Sequence, residues 1–193
     1  QEKENILSIY FSAGYPSLND TARIIEQLEK SGVDLIEIGL PFSDPLADGP
    51  TIQNSATEAL KNGMSTQLLC EQLKDIRKTV KISLIIMGYF NPIIQYGVEE
   101  FCQKYAEIGI DGLIVPDLPL EIYIDEYKAL FEKYGLINVL LITPQTSEAR
   151  IRLIDSVSEG FIYTVSSASV TGSSAGFGNT QENYFKRIAS MNL

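Results

Sequence analysis

Gly32-Val33-Asp34-Leu35-Ile36-Glu37-Ile38-Gly39-Leu40-Pro41 is the stretch on which the fold turns. A glycine closes a helical run, because only glycine enters the left-handed C-cap conformation without steric cost. A short apolar run follows, and a proline stops it. The helical run ahead, residues 18–30, places Ile24, Ile25 and Leu28 at the 3.6-residue period. Gly109, Gly135 and Gly160 stand in the same place before later apolar runs, and Gly109-Ile110-Asp111 nearly repeats Gly32-Val33-Asp34. Strands are expected at residues 6–11, 34–40, 83–87, 112–115, 139–143 and 161–165, with helices between them. Residues 66–78 form another amphipathic helix through Leu69, Leu73 and Ile76. An extra helix over 51–61 accounts for the wide gap between the second and third strands.

Alternation of this kind means parallel strands with helical crossovers, either a (β/α) barrel or an open doubly wound sheet. The turn after the first strand reads Ser12-Ala13-Gly14-Tyr15-Pro16, without the G-x-G-x-x-G of a dinucleotide fold, and no P-loop motif occurs. A barrel is therefore expected. An eight-stranded barrel takes about 200 residues at least. Six strands are used by the end of a chain that starts at Gln1 and closes with a helix over 181–190. The expectation is one domain over 1–193, an α/β (β/α)8 TIM barrel with about six of its eight units, incomplete at both ends. All 8 prolines follow strands, so the stiffened loops lie at the strands' C-terminal ends, the functional face of such folds.

Composition narrows the chemistry. A net charge of −10 argues against a nucleic-acid surface. No apolar run is long enough for a membrane span. Cys70 and Cys102 both fall at apolar helix positions, and no signal-peptide pattern stands in the sequence, so a cytoplasmic location with reduced thiols is expected. Histidine is absent, which removes His-based triads and argues against transition-metal sites. Acid–base work must fall to carboxylates, Tyr, Lys or Cys. The strands hold no lysine, as a Schiff-base aldolase would need.

Glu37 lies inside the second strand and shares a face with Val33, Leu35 and Gly39. A carboxylate packs poorly against helices, so it is expected to point into the barrel, where desolvation should raise its pKa and favour a proton-donating acid. It is either a structural glutamate bonded to backbone or a catalytic acid. The following loop, Pro41-Phe42-Ser43-Asp44-Pro45-Leu46-Ala47-Asp48-Gly49-Pro50, carries two carboxylates. Asp-Pro and Asp-Gly are ordinary turn formers. The functional alternative holds Asp44 and Asp48 over the mouth, one of them facing Glu37. Residues 166–178, rich in Ser and Gly, read as a surface loop or as a lid.

The string Leu35-Ile36-Glu37-Ile38-Gly39-Leu40-Pro41-Phe42-Ser43-Asp44-Pro45-Leu46-Ala47-Asp48-Gly49-Pro50-Thr51-Ile52-Gln53 resembles the signature of the tryptophan synthase alpha subunit family. Gly88-Tyr89-Phe90-Asn91-Pro92, Asp117-Leu118-Pro119 and Ser169-Val170-Thr171-Gly172 extend the likeness over the whole chain. The resemblance implies a (β/α)8 barrel cleaving indole-3-glycerol phosphate by retro-aldol chemistry to indole and glyceraldehyde 3-phosphate. It implies Glu37 and Asp48 as catalytic carboxylates, with Tyr163, Gly172 and Tyr89 binding substrate and Thr171 supporting lid closure. It needs no metal and no cofactor in this chain. Its partner would be a beta subunit carrying pyridoxal phosphate, in an alpha2beta2 heterotetramer, met through Pro41, Asp44, Pro45, Asn91, Pro92 and Pro119. In this family the main phosphate grip comes from loops after strands 7 and 8, which this sequence lacks. Ser167-Ala168-Ser169 also stands where many members carry Arg-Ser-Gly. The alternatives are a non-catalytic activator of the beta subunit and another phosphosugar barrel enzyme.

Overall fold

Five strands, β1 (Ser8–Ser12), β2 (Leu35–Gly39), β3 (Ser83–Met87), β4 (Gly112–Ile114) and β5 (Ile137–Asn138), pair in chain order in a computed structural model that describes residues 5–166 and 179–193. Two more, β6 (Leu141–Ile142) and β7 (Tyr163–Thr164), pair with each other, and every pairing is parallel. Strict sequence order decides between the two α/β architectures. A doubly wound sheet reverses its order at a switch point, whereas a barrel adds each strand on the same side. The crossovers are α1 (Thr21–Lys30), α2 (Pro50–Lys61), α3 (Thr66–Leu73), α4 (Phe90–Tyr96), α5 (Val98–Ile108), α6 (Leu120–Ile122), α7 (Lys128–Lys133) and α8 (Glu148–Val157), and α9 (Asn179–Ser190) follows β7. The glycines at 32, 109, 135 and 160 all have positive φ, from +68° to +94°, as the joins require.

Strand alternation sorts the side chains into two layers. Ile36, Ile38, Leu84, Ile86 and Leu113 face the helices and pack with Ile25, Leu69, Phe101, Phe131 and Ile151. Burying each such side chain contributes about 1.5–3 kcal/mol. The inner layer is a smaller cluster of Ile85, Ile114 and Val139, with Leu35, Met87, Ile137, Leu141 and Tyr163 packed on it. Tyr10, Glu37, Ile85, Gly112 and Ile137 form one rung across the sheet.

The expected strand at 139–143 is divided. Ile137 and Val139 donate their N–H groups to Asp111 and Leu113 on the β4 side, at 3.1 and 2.8 Å. On the other side the carbonyls of Leu140 and Ile142 accept from Tyr163 and Val165, at 2.8 and 2.9 Å. One extended segment thus bonds β4 at its start and β7 at its end, the stagger that closing a barrel imposes. Strand 1 is shifted to Ser8–Ser12, and the Leu7 carbonyl ahead of it accepts from Asp34 and from Leu35 at the start of β2. The helix expected over 18–30 begins at Thr21, and that over 66–78 stops at Leu73 before a 3₁₀ turn, Ile76–Lys78. Between α6 and α7 runs a π turn, Tyr123–Tyr127.

The two Gly-x-Asp joins do the same job at the strands' N-terminal ends. Asp34 Oδ2 accepts the N–H of Leu7 at 3.0 Å, ahead of β1. Asp111 Oδ2 accepts that of Leu84, in β3, at 2.8 Å. Arg77 ties the second join further, donating to the carbonyls of Gly109 and Ile82 and to Asp111 Oδ2 at 2.8, 2.6 and 2.5 Å. Gly109 is needed there twice over: its φ is +94°, and a Cβ would lie 2.8 Å from Arg77 Cγ.

Candidate active site

Glu37 sits at the middle of β2 on the inner face and is only 6% exposed. Ser8 Oγ donates a hydrogen bond to its Oε1 at 2.6 Å. Two residues further on, Gly39 clears space for Tyr10: a Cβ there would lie 2.3 Å from the phenol oxygen. The aromatic side chain of β1 can therefore lie across β2 just beyond Glu37.

The loop after β2 resolves which of its two aspartates serves the site. Asp44 is exposed and takes the hydroxyl of its neighbour Ser43 at 2.5 Å. Asp48 is half-buried and turned inward. Tyr89, at the start of α4, anchors this end of the loop. Its hydroxyl accepts the N–H of Ala47 at 2.9 Å and donates to Asp48 Oδ2 at 3.3 Å. Its ring lies 5.3 Å from that of Phe42. Gln53 of α2 donates to the Asp48 carbonyl at 2.9 Å, fixing the other side. Burial pushes the Asp48 carboxyl above its ordinary range, and the Tyr89 hydrogen bond opposes this. Burial pushes Tyr89 up to about 12, with the Asp48 charge adding to it, so the phenol remains a donor.

A cavity of about 330 Å³ opens at this end of the strands, lined by Tyr10, Glu37, Asp48, Thr51, Ile52, Met87 and Tyr163. That size suits a small organic ligand, and its wall is mostly apolar with two carboxylates converging on it. Tyr163 is raised by burial first and by the charge of Glu37 second. Tyr10 is raised by burial, opposed by its bond to Ser12, with the charges of Asp48 and then Glu37 adding. Both phenols stay neutral at physiological pH.

The expected residues thus divide. Glu37, Asp48 and Tyr163 share the cavity. Tyr89 stands behind Asp48, beside a narrower recess that also touches Tyr10 and Met87. Thr171 and Gly172 lie outside the described residues, as do the other residues of 167–178. Of the six rim residues, Asp44, Asn91 and Pro119 are exposed, Pro45 and Pro92 half-buried, and Pro41 buried. Sequence reasoning did not single out Ser8, Tyr10, Thr51, Ile52 or Met87 for the site. The signal for the first two was present: Ser8, Tyr10 and Ser12 put a hydroxyl at every second position of a strand expected to be apolar on both faces.

Comparison with known proteins agrees with this fold. The family model described as "Tryptophan synthase alpha chain" matches residues 1–192. The tryptophan synthase alpha chain of Flavobacterium johnsoniae is 76% identical over 193 residues, covering all of this chain and 76% of that one. The crystal structure of the alpha chain from Legionella pneumophila superposes with a TM-score of 0.84 at 34% identity, over 96% of this chain and 67% of that one. The A-subunit of the tryptophan synthase of Pyrococcus furiosus gives 0.87 at 33% identity, over 96% and 74%. With a barrel topology, a mid-strand and a loop carboxylate lining one cavity and a family match across nearly its whole length, this chain belongs to the tryptophan synthase alpha chain family.

Proposed function

We propose that Glu37 and Asp48 divide the chemistry of the alpha reaction, in which indole-3-glycerol phosphate is cleaved to indole and glyceraldehyde 3-phosphate. The family is one of carbon–carbon lyases of tryptophan biosynthesis. The observation that carries the division of labour is that Glu37, held on a strand, and Asp48, held on a loop, line one cavity with Tyr163.

Cleavage must turn the indole ring into a leaving group. Glu37 gives a proton to ring carbon C3, and positive charge spreads to the ring N–H. The C3–glycerol bond then breaks, its electrons restore the aromatic ring, and the adjacent hydroxyl becomes the aldehyde by returning a proton to Glu37. Proton and electron pair both balance. Asp48 takes a hydrogen bond from the ring N–H and offsets the transient charge. Tyr89 and Gln53 hold Asp48 in place for this. Tyr163 and Tyr10 enclose the ring beside Glu37. No step runs through a metal or a cofactor.

The family implies a beta-subunit partner. We place that partner on the rim formed by Asp44, Pro45, Asn91, Pro92 and Pro119, with Pro41 buttressing it from below. Leu46, 87% exposed on the loop that carries Asp48, supports this, since an apolar tip beside a functional carboxylate suits a surface that another chain covers. In this reading the complex is an alpha2beta2 heterotetramer in the cytoplasm, pyridoxal phosphate belongs to the beta subunit, and partner binding orders the Asp48 loop. The family resemblance assigns Thr171 to lid closure and Gly172 to the phosphate contact, and both lie outside the described residues. No helix among the described residues is long and apolar enough to cross a membrane.

Glu37→Gln in the full-length enzyme tests the proposal. Indole release should fall more than about a hundredfold while substrate still binds, because only proton transfer is removed. Turnover within about tenfold of wild type would make Glu37 structural.

A further inference from the structure

We propose that Ser8 is a positioning residue for Glu37, and that its hydroxyl gives the two carboxyl oxygens different tasks. The inference rests on the reading of Glu37 as the proton-transfer group. Ser8 pairs in register with Leu35, while Tyr10 pairs with Glu37, so Ser8 lies one inner-face step nearer the strands' N-terminal ends. Two residues of strand span about 6.6 Å. The Ser8 bond to Oε1, at 2.6 Å, therefore draws that oxygen back toward the foot of the barrel. Asp48 and its loop lie at the other end of the strands.

Among the described residues, Ser8 supplies the hydrogen bond to the Glu37 carboxyl, and no donor reaches Oε2. Of its neighbours on the rung, Tyr10 directs its hydroxyl to Ser12 and Ile85 has no polar group, so neither steadies the carboxyl by a hydrogen bond. Asp48, by contrast, is steadied by Tyr89 and by Gln53 from α2. Ser8 is itself exposed and could be satisfied by water, yet its hydroxyl is directed at the carboxyl. With Oε1 occupied as an acceptor, Oε2 is the oxygen that carries the moving proton. Restricting the carboxyl to this pose removes a search over rotamers before each transfer.

The test compares Ser8→Thr with Ser8→Val in the full-length enzyme. The two side chains are nearly isosteric and both favour strands, so they differ essentially in the hydroxyl. Ser8→Thr should keep kcat within about twofold of wild type, whereas Ser8→Val should lower kcat about tenfold with KM changed less than about twofold. Combined with Glu37→Gln, Ser8→Val should cause no further loss. Equal kcat for the Thr and Val variants overturns the proposal, as does a rise in KM alone or a further loss in the Glu37→Gln background. Near-normal turnover by Glu37→Gln itself would remove the underlying reading of Glu37 and this inference with it. Matched melting curves for the Thr and Val variants separate positioning from folding.

Discussion

The two ends of the strands use the same side chain in opposite ways. At the N-terminal ends, carboxylates are tied to main chain: Asp34 takes the N–H of Leu7, and Asp111 takes that of Leu84 together with the Arg77 guanidinium. Glu29 likewise accepts from both Lys81 and Ile82 backbone N–H groups, at 2.6 and 3.1 Å. At the cavity, which opens toward the C-terminal ends, Glu37 and Asp48 each take one side-chain hydroxyl on the carboxyl group, from Ser8 and from Tyr89. A carboxylate bonded to backbone locks one strand to the next. One with acceptor capacity left over, at a cavity wall, remains available to a ligand. The kind of partner, main-chain N–H or side-chain hydroxyl, and not residue type, separates the structural end from the reactive one.

That contrast breaks first at Asp48. Asp48→Asn should lose about a hundredfold or more in indole release, since a neutral amide cannot offset a developing cation. Its folding should not suffer. Burial raises the Asp48 carboxyl above its ordinary value, so its favourable contribution to folding is present at low pH and is lost as pH rises through the folded-state value. At neutral pH the amide variant should therefore melt at the wild-type temperature or above it. Melting curves and an indole assay on the same sample read both halves, and a strongly lowered Tm would place Asp48 with the structural carboxylates.

Asp111→Ala should do the reverse. It strands the Leu84 N–H and part of Arg77, and should cost about 1–2 kcal/mol in urea unfolding, a modest figure because the pair is partly solvated. Activity at saturating substrate should stay close to wild type. A catalytic loss larger than the stability loss explains would erase the distinction between the two ends.

Tyr89→Phe sharpens the comparison within the reactive end. It removes the donor to Asp48 and the acceptor for Ala47 but keeps the ring against Phe42. We expect kcat to fall several-fold, less than for Asp48→Asn, because the carboxylate remains and only its placement loosens. A loss equal to that of Asp48→Asn would give Tyr89 a direct part in the reaction.

The smallest effect belongs to a surface pair. Arg150 of α8 holds Glu121 of α6 down to about 2 from an ordinary 4.5, through a hydrogen-bonded ion pair. A lowered folded-state value stabilises the fold above the unfolded value, and that stabilisation is lost as pH falls from about 4.5 through about 2. The pair is exposed, so Glu121→Gln should lower Tm by little more than experimental error at neutral pH, with the difference closing below that window. A variant that melts well below wild type at pH 7 would show the pair to be structural.

Much of this was legible in the residues. The glycine joins and apolar runs reveal the β/α alternation, because cap geometry and strand burial are local requirements. Glu37 announces itself as a carboxylate inside an apolar strand. The choice between Asp44 and Asp48 is not local: both sit in turn-forming dipeptides, and it is Tyr89, 41 residues beyond Asp48, that holds one of them inward. Tyr10 enters the site because Gly39, on a different strand, has no side chain in its way. The division of the segment at 137–142 follows from barrel stagger, which an apolar run cannot display. Local rules thus carry the scaffold, while the site depends on long-range register.

The account stands most directly on proton transfer between Glu37 and ring carbon C3. Microscopic reversibility makes this observable in the return direction, as exchange of the C3 hydrogen of indole with deuterium in D2O. The full-length wild-type enzyme with glyceraldehyde 3-phosphate should catalyse that exchange, followed by loss of the C3 proton resonance. Glu37→Gln should leave the exchange at the uncatalysed rate while still binding indole, and wild-type exchange by that variant would contradict the account.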